Sequence, residues 1–404
     1  MTELTVPADQ VRPTKERFPF AFHGGASEFF GIWIVNLLLT IVTLGIYSAW
    51  AKVRTTRYFY GNTQVDGHGI EYHAQPIQIL IGRIIAVLII IFYSLSQLID
   101  LYLYLGLTLV FLVALPFLIN RSLRFTARMT SYRNVRFDFD GNYWRALWVF
   151  AAAPVLAILV LALLLGAYFG ILQGVQSTLT EQMPIWVYVI GPAIAFLVLF
   201  LLLAFIARAV QRYLADSFTY GGRTMTLDVG VSPFLSAYVQ GFLITVALFL
   251  LAGLVAYAFF PLLEGIDLSE LGELEEDQPP PPSLLIAIGV IYVVILGIFA
   301  VAPIYIQTMI TNITFNNLVL DEKHEFESHM NPFTMVWIVV TNLLLIIVTY
   351  GMMIPWARVR VAKYRANHTA LLAGGPLDDY TSTVAQDSAI GEEVAQAFDL
   401  EIPI

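Results

Sequence analysis

The residues of this chain that could carry chemistry are few and grouped. His68, Glu71 and His73 form one cluster, His324, Glu327 and His329 form another with the same spacing, and His23 stands at the turn position of His73. Imidazole and carboxylate together can hold zinc. Residues five apart on a strand face opposite sides, however, so each cluster would need a turn to converge on an ion, and turn hydrogen bonding is the simpler chemistry. No metal and no cofactor is expected here. The chain has no zinc-helix HExxH, no GxSxG nucleophile elbow and no phosphate-binding P-loop. It also lacks cysteine, which removes disulfides, thiolate ligands and thiol nucleophiles. The expected class is non-enzymatic, with no catalytic residues to name.

A second chemistry is electrostatic. Lys52, Arg54 and Arg57, then Arg121, Arg124 and Arg128, then Arg358, Arg360 and Lys363 all follow the ends of apolar runs. Arg121, Arg124 and Arg128 share one helix face by their spacing. Such clusters retain a loop on the cytoplasmic side, or offer a contact surface to anionic lipid headgroups. A third group is polar but uncharged. Asn36 and Thr43 sit inside one apolar run before Gly45 and Trp50, and Asn342 and Thr349 sit inside another before Gly351 and Trp356. An amide in lipid must find a partner, so these residues are interhelical bonds or the lining of a path.

The elements that position these groups must lie in a bilayer. Of 404 residues, 58% are hydrophobic and only 13% charged, against about 25% charged in a soluble domain. Mean hydropathy is +0.75. Apolar segments run over 29–50, 77–99, 101–119, 146–172, 185–207, 236–263, 284–306 and 333–356. A net charge of −9 gives no basic footprint for nucleic acid. The polar first 28 residues contain no short apolar core with a cleavage pattern, so the first segment stays in the mature chain. Lys and Arg fill the loops at 51–76, 120–145 and 208–235 and are missing from the intervening turns at 100, 173–184 and 264–283. Segments two to seven are therefore three hairpins with basic cytoplasmic ends.

The outer two segments repeat each other. Residues 36–58 (NLLLTIVTLGIYSAWAKVRTTRY) and 342–364 (NLLLIIVTYGMMIPWARVRVAKY) match at a constant offset of 306. A weaker unit recurs five times, as FAFHGG from Phe20, IEYHAQ from Ile70, FDFDGN from Phe137, LDVGVS from Leu227 and FESHMN from Phe326. Alternation of this kind signals a half-buried strand. Both the charge rule and this repeat favour outer segments that dip in near Gly45 and Gly351 and return, with Asn36 and Asn342 satisfying backbone freed by the turn. A plain spanning helix is the alternative, since each run is long enough.

The expected fold is thus an all-α polytopic membrane protein, with short strand-like stretches in its cytoplasmic loops. The expected organisation is a polar cytoplasmic region over 1–28 and a membrane domain over 29–365, in which 29–65 is related to 335–371. An acidic, proline-rich outer loop follows at 264–283, and 366–404 is an acidic, disordered tail. Gly166, Gly170 and Gly174 form a face that lets another helix approach, within the bundle or across a homo-oligomer.

The run NLLLTIVTLGIYSAWAKVR, with FAFHGGASEFF before it and NTQVDG after it, resembles the YjgN family of bacterial inner-membrane proteins. The resemblance covers roughly 18–370, with the acidic tail outside the pattern. It implies a multi-pass inner-membrane location and supplies no activity. The expected function is a non-enzymatic membrane organiser or anionic-lipid-interacting protein, and the alternative is a transporter or channel for a small solute or lipid.

Overall fold

An isolated strand leaves a row of bare backbone donors and acceptors on each edge. The five alternating stretches remove that problem together. In the computed structural model, which describes residues 15–178, 184–263 and 282–376, each overlaps the end of a strand of five to seven residues, and these strands alternate with partner strands around one closed barrel. The strands are β1 (Glu16–Phe22), β2 (Thr63–Val65), β3 (His68–Tyr72), β4 (Thr130–Tyr132), β5 (Val135–Phe139), β6 (Phe218–Tyr220), β7 (Arg223–Leu227), β8 (Leu318–Leu320), β9 (His324–Ser328) and β10 (Thr369–Ala373). All neighbours are antiparallel, and β1 closes on both β2 and β10. The all-α expectation is overturned by this ten-stranded barrel. The partner strands β2, β4, β6 and β8 have three residues each, too few to show a period-two pattern. The fourth repeat also shifts by two residues, because Leu227 ends its strand where Phe22, Tyr72 and Phe139 end theirs.

The helices are α1 (Ala26–Val42), α2 (Ser48–Asn62), α3 (Pro76–Ile99), α4 (Leu101–Arg128), α5 (Tyr143–Leu147), a π-helical turn (Trp148–Ala152), α6 (Ala153–Gln176), α7 (Ile185–Ser217), α8 (Ser232–Leu263), α9 (Pro282–Phe315), α10 (Pro332–Val348) and α11 (Ile354–Asn367). The described residues are therefore five copies of one unit, strand, helical hairpin, partner strand, the partner being three residues long in the first four units and five in the last. Successive units join through tight turns with positive φ, at Asp66–Gly67, Arg133–Asn134 and Gly221–Gly222. The last unit meets the first without a covalent link, through the β10–β1 pairing. The described ends of the chain consequently lie side by side at the barrel.

The barrel interior is filled. One layer consists of five cross-strand pairs, Phe20–Val65, Ile70–Tyr132, Phe137–Tyr220, Met225–Leu320 and Phe326–Leu371. These residues form a single apolar cluster. Its two central hydroxyls are bonded, Tyr132 to the Val65 carbonyl at 2.9 Å and Tyr220 to the Tyr132 carbonyl at 3.0 Å.

Above the barrel each helix packs on its chain neighbours, and α11 closes on α1. The result is a single-layer palisade. In the five described helices long and apolar enough to cross a membrane, only 11–22% of the apolar window is buried. On α3, every residue from Val87 to Phe92 is exposed. Six consecutive residues cover all sides of a helix, so the palisade shows apolar surface on both its faces. The first apolar run is not one helix: α1 ends at Val42, and α2 brings the chain back to β2, which neighbours β1. The run at 333–356 breaks in the same way between α10 and α11. The acidic outer loop, except its last two residues, and the terminal segments 1–14 and 377–404 lie outside the described residues.

Candidate functional site

The offset of 306 between the two repeated motifs is reproduced contact by contact. Helix α1 ends in a Schellman turn, with Leu44 N–H on the Ile41 carbonyl at 3.1 Å and Gly45 N–H on the Thr40 carbonyl at 2.8 Å. Tyr350 and Gly351 close α10 through the Ile347 and Ile346 carbonyls at 3.1 and 2.8 Å. Gly45 and Gly351 have φ of +93° and +89°, which glycine adopts freely. Leu44 and Tyr350, both at φ +50°, lie 94% and 97% exposed at the hairpin tips. Thr43 Oγ1 accepts the Tyr47 N–H at 2.9 Å, and Thr349 Oγ1 accepts the Met353 N–H at 3.2 Å. The turns thus satisfy their own backbone.

Asn36 and Asn342 are therefore not taken up by the turns, and they make the interhelical bonds that their residue type also suggested. Both are buried in the middle of their hairpins, at 4% exposure. Asn342 donates to the Ala357 carbonyl at 3.2 Å and accepts from Arg360 at 3.1 Å. Asn36 makes the equivalent bonds to Ala51 at 3.5 Å and Arg54 at 3.3 Å. Each asparagine clamps the descending helix to the returning one, and each gives an arginine of the returning helix a partner. Arg360 also reaches Thr341 Oγ1 at 2.8 Å and lies 5.0 Å over the Trp356 ring. Trp50 stacks on Tyr47. Tyr58 and Tyr364 fasten the returning helices to the starts of α1 and α10, by hydrogen bonds to the Gly25 and Asn331 carbonyls.

The basic collar divides into two kinds. Several of its members are internal struts. Arg57 donates to the Tyr72 and Ala74 carbonyls at 3.0 and 2.9 Å. Arg124 binds the Phe139 carbonyl and Asp140, and Arg128 binds Asp138 at 2.9 Å. These bonds tie a helix exit to the joint after the following strand. Arg121 lies over the Phe117 ring, while Arg358 and Lys363 are exposed on α11. Lys52 sits on α2, between the clamp partners Ala51 and Arg54.

The histidine clusters stay on the barrel wall. His73 Nε2 bonds Ser131 Oγ at 2.8 Å, and His329 Nε2 bonds Glu327 at 2.6 Å. Hydrogen bonds from Arg17 and His329 hold the Glu327 carboxyl below the usual range, and burial pushes the His324 imidazole below its usual value. Among the described residues no group of three His, Cys, Asp or Glu could hold a metal. Gly166, Gly170 and Gly174 meet nothing within 4 Å of an added Cβ among the described residues, so that face is open there.

The description "Bacterial protein of unknown function (DUF898)" matches residues 17–397, which extends through most of the acidic tail set outside the pattern. The chain is 27% identical over 378 residues to the "Inner membrane protein YjgN" of Salmonella typhimurium strain LT2, covering 90% of each. It is 26% identical over 368 residues to the proteins of the same name from Escherichia coli O157:H7 and K12, covering 89% of each. No solved structure matches.

Proposed function

From the premise that this chain belongs to the DUF898 family of bacterial proteins and is a multi-pass inner-membrane protein, we propose that it is a non-enzymatic lipid-binding organiser of that membrane. The observation that carries the reading is the palisade with apolar residues on both faces, seated on a barrel whose interior is packed. Water cannot occupy an apolar enclosure of this kind at low cost, whereas acyl chains fill it. An aqueous conduit would need a polar lining, and the barrel layer in line with it is made of Phe, Tyr, Leu, Ile, Val and Met. The exposed basic residues Arg358 and Lys363 then stand where lipid phosphates lie.

The basic ends of the three long hairpins put the barrel on the cytoplasmic side. The glycine face of α6, open in a single chain, suits contact with a second copy. The reading is tested by purifying the full chain in a phosphate-free detergent and extracting what it retains. Retained anionic phospholipid, with no solute flux from proteoliposomes, is the expected result. Solute flux, or protein free of phospholipid, would overturn the proposal.

A further inference from the structure

A cleft of about 530 Å³ opens where α5, the π-helical turn and α7 meet, lined among others by Trp144, Arg145, Trp148, Arg208, Arg212 and Tyr213. Local sequence explains the shape. Pro154 has no N–H for the Phe150 carbonyl, and the chain just before it widens into the π turn Trp148–Ala152. Trp144 and Trp148 stand 72% and 49% exposed at its mouth. Opposite them, Arg208 and Arg212 follow one another on the same face of α7. Arg208 is fixed by its Nε, which donates to the Val229 carbonyl at 2.6 Å. Arg145 and Arg212 flank a single carboxylate, Asp216, at 3.9 and 3.5 Å. Arg124 and Asp140, which also face the lining Tyr213, pair with each other, so three guanidiniums against Asp216 leave the cleft net positive.

The placement adds a second constraint. α5 begins directly after the joint at Asp140–Asn142, and α6 continues it as an apolar helix. The cleft therefore lies at headgroup depth, where tryptophan rings settle, with acyl-chain depth immediately above. Guanidinium forks match phosphate oxygens, and a volume of this size exceeds one phosphate. Resting on the lipid-binding reading above, we propose that this cleft is a specific site for the phosphate-bearing headgroup of an anionic membrane phospholipid. Its acyl chains would run upward along α6 and α7.

The experiment uses the full chain in a phosphate-free detergent, titrated calorimetrically with dihexanoyl phosphatidylglycerol. Saturable binding is expected, with much weaker binding of dihexanoyl phosphatidylcholine. Arg145→Gln with Arg212→Gln should weaken binding about tenfold or more, since two charge-assisted bonds are lost. Asp216→Asn should tighten binding about two- to fivefold, a gain that misfolding cannot mimic. Equal binding of the zwitterionic lipid, or competition by inorganic phosphate at equal concentration, overturns the lipid-headgroup assignment. If the wild type retains phosphatidylglycerol and the double variant retains and binds it equally, the cleft is wrong and the broader reading stands. If the wild type neither retains nor binds it, both fall.

Discussion

Replacing Asn342 by leucine separates a clamp from a plain membrane helix, because the two predict opposite signs. The side chain is 4% exposed and holds two bonds across the α10–α11 hairpin, to the Ala357 carbonyl at 3.2 Å and from the Arg360 guanidinium at 3.1 Å. Polar contacts between membrane helices contribute about 0.6 kcal/mol on average, and hydrogen bonds to a charged group about 1.5–3 kcal/mol. Leucine recovers about 0.5 kcal/mol by its own preference for the hydrocarbon. Arg360 keeps Thr341 and the Trp356 ring, so its charge is not left bare. The expected net loss is about 2 kcal/mol. At Asn36 the same bonds measure 3.5 and 3.3 Å, and the expected loss is smaller, about 1 kcal/mol. Reversible unfolding of the purified variants in mixed detergent and dodecyl sulfate measures both. A double-mutant cycle of Asn342→Leu with Arg360→Gln should return a coupling energy above about 0.5 kcal/mol. A stability of Asn342→Leu equal to or above the wild type would refute the clamp.

Four further outcomes follow from the same geometry. Gly45→Ala should cost about 1–2 kcal/mol although an added Cβ meets nothing within 4 Å, because φ +93° is strained for any L side chain; unchanged unfolding would show that the turn relaxes. Tyr220→Ala should cost about 3–5 kcal/mol by opening a cavity in the barrel layer and removing the bond to the Tyr132 carbonyl; near-neutral unfolding would contradict a packed interior. Burial depresses the pKa of His324, with Asp321 opposing and Lys323 and Lys15 assisting, so the folded state prefers the neutral ring. Stability should accordingly be full above the unfolded value near 6.5 and fall as pH drops below it, and His324→Gln should flatten the difference in thermal unfolding between pH 7.5 and 5.5. Because β1 and β10 are paired, reporter fusions after Gln10 and after Pro376 should both report the cytoplasm; opposite sides for the two would be incompatible with the closed barrel.

What could be read without coordinates was set by one-dimensional physics. Long runs such as 77–99 and 101–119 announce helices in lipid, and their basic ends announce an orientation, because both effects depend only on local composition. The paired motif was legible as well, since an offset of 306 needs no partner to be seen, and glycine at 45 and 351 marked the break. Closure of the barrel was not legible. It depends on pairings such as Phe20 with Val65 and Phe18 with Leu371, across 45 and 353 residues, and on three-residue strands that carry no period. Nor could composition tell an arginine that serves as an internal strut from one that faces lipid. Arg57 and Arg124 are consumed by carbonyls of the next joint, while Arg145 and Arg212 gather in a cleft from segments more than sixty residues apart. A charge's sign is written in the sequence, but its partner is chosen by the fold, since a hydrogen bond depends on distance in space and not along the chain.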